Sequence, residues 1–387
     1  MYKWSLMEES ISFLDKIRIC KFILTNSKYS KGEYVKKFEQ EWSKWLGVKY
    51  TVFVNSGSSA NLILVDAIKE KYKLSKGDKV LVPACTWATN ISPIVQCGLQ
   101  PVFCDIQFSN FSFDITKLEA IAKEHDIKAI FITHLLGLPS DMDELKKIFP
   151  NTIMIEDCCE SHGATYEGKK VGTLSEGSTF SFYYGHHMTS IEGGVICTDD
   201  YELYKLILLK RSHGLARELP EEEFQKFSKK YPDIDKRFLF LTHGYNLRPT
   251  ELNAVIGLQQ LPRIDSFIEN RRKVFKFFID ESHKRGLDEI FWIPNPEGNS
   301  SFCFPIVLKD GDKYQNLLSD LENAGIETRP IVGSNLTRQP FLSTETFDQS
   351  LFPNANDLHN QGIYIGNNQF VTIDRVKGLL DILERLK

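Results

Sequence analysis

Short apolar runs alternate with polar, helix-spaced stretches along most of the chain, a pattern that predicts an α/β fold. Runs at Tyr50–Val54, Lys79–Pro83, Pro101–Asp105, Ala129–Thr133 and Ile153–Glu156 read as buried strands. A further pair, Thr179–Tyr183 and the run entered through Glu192-Gly193-Gly194, brackets a polar loop. Ahead of the first strand, residues 6–46 alternate apolar and charged positions at helical spacing and predict two helices with no chemistry of their own. Later helices are expected at Asp200–Arg211, Glu251–Gln260 and Pro262–Arg285, whereas 217–237 lacks apolar periodicity and reads as a surface excursion. A strand at Ser300–Leu308 and a helix at Lys313–Ala324 follow. The pattern predicts a large domain, residues 1–260, with a mostly parallel sheet flanked by helices, and a smaller C-terminal α+β domain, residues 261–387.

Composition narrows the function. The 387 residues can bury a large core in about two domains. A net charge of −4 with charges of mixed sign argues against a nucleic-acid binder. No apolar run is long enough to span a membrane, and no secretory-type stretch follows Lys3, so a cytoplasmic protein is expected. The eight cysteines sit mostly in apolar runs without CxxC or Cys/His spacing, so no metal site is expected.

Candidate chemistry gathers at strand ends. The loop after Ser181-Phe182 presents His186-His187, imidazoles expected to titrate near neutrality, before Glu192-Gly193-Gly194. The paired glycines suggest positive φ and close backbone approach to a ligand. Asn55-Ser56-Gly57-Ser58 joins the first strand to a helix expected from about Leu62, and such a turn can hold a phosphate. Trp87 follows one strand end, and Asp157 closes another within Glu156-Asp157-Cys158-Cys159-Glu160.

Together these motifs resemble the DegT/DnrJ/EryC1/StrS family of fold-type-I pyridoxal phosphate (PLP) enzymes. That family's pattern is Ser-Phe, three residues, a Schiff-base lysine, five residues, then Glu-Gly-Gly. Counting from Ser181 and from Glu192 both lead to His186, where the lysine would stand. An imidazole moves protons but cannot hold PLP covalently, and histidine here is similar to the family's 3-dehydratase branch. The resemblance implies catalysis by His186 and cofactor contacts from Gly57, Ser58, Trp87, Asp157, Glu160, Ser181 and Asn246. It implies substrate contacts from Arg248, Arg329 and His213. In relatives the asparagine of Gly244-Tyr245-Asn246-Leu247-Arg248 reaches the neighbouring subunit's cofactor, which implies a homodimer with shared active sites.

The implied reaction removes the C3 hydroxyl from a nucleotide-linked 4-keto-6-deoxy sugar, using non-covalent PLP/PMP (pyridoxamine phosphate) and L-glutamate as amino donor. The family's iron–sulfur branch needs four thiolates, with several downstream of the active-site histidine. Here none lies between Cys197 and Cys303, which favours the GDP-sugar branch. Two other readings stay open: an aminotransferase using a different lysine, such as Lys169 or Lys170, and a non-catalytic relic of the fold.

Overall fold

A computed structural model describes residues 2–342 and 346–387. Seven strands form the main sheet: Tyr50–Val54 (β1), Lys79–Pro83 (β2), Gln100–Cys104 (β3), Ile127–Thr133 (β4) and Ile153–Asp157 (β5), with two more after a small hairpin. That hairpin is Thr165–Tyr166 (β6) and Lys169–Lys170 (β7); Gly177–Ser181 (β8) and Gly194–Thr198 (β9) then complete the sheet. The order is β1-β9-β8-β5-β4-β2-β3, and only β9 runs against its neighbours. Strands β2, β4, β5 and β8 are parallel, with apolar side chains buried on both faces, so helices must cover the sheet on each side. Their carboxyl ends therefore open on one edge, where ligands of such sheets bind.

The C-terminal part carries a three-stranded antiparallel sheet of Cys303–Val307 (β10), Thr328–Pro330 (β11) and Gly362–Gly366 (β12), ordered β10-β12-β11. Helices Ile264–Lys284, Tyr314–Asn323 and Ile373–Glu384 pack on it through Phe275, Phe278, Leu317, Leu379 and Leu383, all fully buried. None of the helices is long and apolar enough to cross a membrane among the described residues.

Four expectations need revision. The helix after β1 starts at Gly57, not Leu62, because Ser56 caps it by accepting the Ser59 N–H at 3.1 Å. Residues 217–237 contain a helix, Glu221–Lys230, with no buried side chain. Three glutamates in its first turn and lysines in its last complement the helix dipole, a signal that apolar periodicity does not register. The first helix is Phe13–Thr25, so residues 6–12 are not helical. Neither Gly193 nor Gly194 has positive φ; a Cβ on Gly194 would lie 2.5 Å from Ser56 O and 2.7 Å from Gly57 N, so close approach is what requires glycine there.

Candidate active site

A cavity of about 360 Å³ lies at the carboxyl edge of the sheet. Its wall includes Gly57, Ser58, Trp87, Asp157, Glu160, Ser181 and His186, each delivered by the end of a strand or by the segment after it, and Tyr364 and Phe302 from the C-terminal part. Among the described residues no lysine lines it. Lys170 instead donates to Trp45 O with its ammonium over the Trp45 ring, and Lys169 is exposed on the hairpin.

Asp157 is the most firmly held of these groups. Its Oδ2 accepts from Asn61 Nδ2 and Asn90 Nδ2, both at 2.8 Å, and its Oδ1 accepts the Cys159 N–H at 2.9 Å. Both amides are themselves fixed: Asn61 Oδ1 accepts from Thr179 Oγ1 at 2.6 Å, and Asn90 Oδ1 accepts from Thr86 Oγ1 at 2.9 Å. Sequence reading missed Asn61 and Asn90, which lie 96 and 67 residues away along the chain. Only their position in the first or second turn of helices that begin near strand ends could have marked them.

The helix Gly57–Tyr72 brings its N-terminus to the cavity wall. No hydrogen bond engages the Gly57 or Ser58 N–H among the described residues, while Ser59 and Ala60 are satisfied by Ser56. A Cβ on Gly57 would lie 2.6 Å from Ser181 Cβ and 3.1 Å from Cys159 Sγ, so the turn is a cradle that only glycine fits. Two free N–H groups at the positive end of a 16-residue helix suit a phosphate dianion.

His186 lines the same cavity. Its backbone N–H donates to Tyr183 O at 3.0 Å, and its Nδ1 is buried without a partner. Burial, then the charge of Arg271, push its pKa down to about 3. The near-neutral titration expected from sequence is therefore not found: the guanidinium and the desolvated setting both disfavour the imidazolium. The free base is thus present throughout the physiological range. His187 plays a different part: buried, it donates from Nε2 to Ser300 O at 2.7 Å and ties the loop to the C-terminal part. Its ring stacks 5.1 Å from His162, itself packed on Trp42, Phe180 and Phe182.

Burial lowers the pKa of His162 and His187 as well. Unfolded histidines titrate near 6.5, so the unfolded chain binds more protons from there down to about 3, the folded value of His186. The contribution of these histidines to stability is full above pH 6.5 and falls as pH drops below it. His162→Phe should flatten this acid limb, and the check is the melting temperature of both proteins from pH 6.5 downward.

Glu160 accepts the Leu136 N–H at 2.9 Å, and burial followed by the nearby Asp157 charge raises its pKa to about 7. The deeper pair His134–Glu156 is saturated. His134 Nδ1 accepts the Ser140 N–H at 3.0 Å, so Nε2 donates to Glu156, which also accepts from Gly172, Leu174 and Ser175. With Cys158 this is the one metal-range grouping among the described residues, and the lone pairs of His134 and Glu156 are already used.

Four expected residues lie elsewhere in the single chain. Asn246 and Arg248 line a second, larger cleft of about 1450 Å³, with Arg248 Nε donating to Asn246 Oδ1 at 3.0 Å. His213 is exposed and lines neither cleft. Arg329 pairs with Glu327 at 2.9 Å on β11; its register partner Tyr364, and not Arg329, reaches the cavity.

The model of the DegT/DnrJ/EryC1/StrS aminotransferase family matches residues 14–384. The chain belongs to that family. Over 369 residues it is 36% identical to GDP-4-keto-6-deoxy-D-mannose 3-dehydratase of Escherichia coli O55:H7, covering 94% of this chain and 95% of the relative. A crystal structure of GDP-4-keto-6-deoxymannose-3-dehydratase with a trapped PLP-glutamate geminal diamine superposes with a TM-score of 0.89 at 33% identity, covering 98% of this chain and all of that one. A histidine variant of that enzyme with bound GDP-perosamine gives 0.86 at 34% identity, with 98% and 100% coverage. The family member described here is a PLP-dependent nucleotide-sugar 3-dehydratase, with PLP/PMP as its cofactor. The cavity fits that cofactor on its own chemistry: a phosphate cradle at Gly57 and Ser58, a fixed carboxylate at Asp157 for a pyridinium nitrogen, and the exposed Trp87 indole beside them.

Proposed function

We propose that the enzyme dehydrates a GDP-linked 4-keto-6-deoxy sugar at C3, with L-glutamate as amino donor, non-covalent PLP/PMP and no iron–sulfur cluster. One observation carries the reading: His186, not a lysine, projects into a cavity whose wall contains no lysine among the described residues. Bound PMP supplies a primary amine for the C4 ketone and a ring able to accept an electron pair. Asp157, clamped as an anion acceptor by two amides, keeps the ring nitrogen protonated. Gly57 and Ser58 would hold the phosphate, Trp87 would stack on the ring, Glu160 would contact its 3-hydroxyl, and Ser181 lines the same cavity. His186, uncharged, would take the proton from C4′ and return it to the departing C3 hydroxyl, which leaves as water. The product then hydrolyses to a 3,6-dideoxy-4-keto sugar and ammonia. The interval from Cys197 to Cys303, which contains no further cysteine, supports the reading without a cluster. Incubation with GDP-4-keto-6-deoxymannose, glutamate and PLP should release ammonia and 2-oxoglutarate. A stable amino sugar as product would sink the proposal.

The same reading includes a homodimer with shared sites. Two features support it. Phe13, Ile17, Cys20 and Leu24 form an exposed stripe along the first helix, opposite buried Phe22, the pattern of a face made to be covered. Asn246 and Arg248 lie in a cleft of their own, free to complete a neighbour's cavity. Mixing inactive His186→Asn and Asn246→Ala proteins under exchange conditions should restore activity, because a hybrid dimer keeps one intact site. No restoration, with exchange verified by mass, would place each site within one chain.

A further inference from the structure

Residues 2–12, with helix expected over 6–12, instead form a strap along the C-terminal sheet. Lys3 and Trp4 donate their N–H groups to Gly325 O at 2.8 and 3.1 Å, and Glu327 N–H donates to Trp4 O at 2.9 Å. Trp4 Nε1 donates to Gly366 O at 2.9 Å, Leu6 N–H donates to Glu327 Oε2 at 3.1 Å, and Glu8 pairs with Arg375 at 3.0 Å. Trp4 is buried against Phe304, so the strap is anchored by packing as well as hydrogen bonds.

Past that anchor the strap crosses to the loop bearing the catalytic base. A Cβ built on Gly185 would lie 1.9 Å from Met7 Sδ, 3.2 Å from its Cγ and 3.3 Å from its Cε. Met7 thus occupies the space that a side chain at position 185 would need. Leu6, Met7, Gly185 and His186 share one wall of the cavity. Methionine suits such a role, since an unbranched thioether fills an irregular gap without polar demands.

We propose that Met7 is a positioning residue for His186: its thioether, seated on Gly185, holds the loop with the imidazole facing the cavity and closes that wall to water. The inference rests on the 3-dehydratase reading for its kinetic consequence, but its geometry does not. Met7 is the flexible end of the contact, so an alanine at 185 displaces Met7 without breaking backbone packing. Three variants test the proposal: Met7→Ala, Gly185→Ala and the double variant, with Met7→Leu as the conservative control. Met7→Ala and Gly185→Ala should each lower kcat by roughly tenfold with little change in KM, the scale of a small misplacement of a reacting group. The double variant should be no worse than either, since both remove one contact. Met7→Leu should stay near the parent.

A second readout uses the cofactor-free protein. Diethyl pyrocarbonate modification of the His186 peptide, followed by mass spectrometry, should run several-fold faster in both single variants than in the parent or Met7→Leu. Parent-like modification rates in Met7→Ala, or single effects that multiply in the double variant, would overturn the proposal. Faster modification without turnover of any 4-keto sugar by the parent would instead count against the functional reading and leave the contact standing.

Discussion

Replacing His186 with asparagine should lower 3-dehydration by roughly 10²- to 10⁴-fold, the range set by loss of a general base, while PLP still binds. Asparagine keeps the loop, because the His186 backbone N–H to Tyr183 O and the His187 clasp on Ser300 do not involve the imidazole. It offers no group that can take a proton near neutral pH. His186→Lys gives the sharper outcome. An ε-amine there, in a cavity otherwise without lysine among the described residues, should capture PLP covalently, turn the protein yellow and abolish dehydration. Absorbance spectra, borohydride trapping and the ammonia assay check both variants. If the lysine variant eliminates water at the parent rate, the base lies elsewhere.

Asp157→Asn should weaken cofactor binding on the order of 100-fold, the equivalent of about 3 kcal/mol for a lost charge-assisted hydrogen bond. The fold should suffer too, because Asp157 accepts three hydrogen bonds, from Asn61, Asn90 and the Cys159 N–H, and donates none. An asparagine amide must turn its NH₂ toward one of these donors, leaving a buried group unmatched at about 1–3 kcal/mol. PLP titration of the variant separates from a melting curve of its cofactor-free form. Full affinity with unchanged melting would remove Asp157 from its assigned place.

Much of this was legible in the sequence because local rules and the global fold agree. The runs Tyr50–Val54 and Lys79–Pro83 are strands with the expected bounds, since buried parallel strands are short, apolar and stopped by turns. Gly57, Ser58, Trp87, Asp157, Glu160, Ser181 and His186 converge on one cavity because each stands at or after the end of a strand that opens on the same edge. What could not be read was long-range. Asn61 and Asn90 look like ordinary helix residues until β5 brings Asp157 between them. Met7 looked like the start of an amphipathic helix, and only the pairing of Trp4 with Ile326 shows why the chain stays extended there. The pKa of His186 depends on Arg271, a buried side chain 85 positions away whose own pKa burial lowers to about 9. The separate cleft of Asn246 and Arg248 is likewise a fact of tertiary geometry, invisible to motif spacing.

The His187–Ser300 bond fastens the loop that carries His186 to a segment just ahead of β10. Any swing of the C-terminal lobe must drag that loop along, so lobe posture and readiness of the base become a single mechanical variable. A wedge-shaped molecule that pries the lobes apart would silence the enzyme from a distance, leaving the ring site itself untouched.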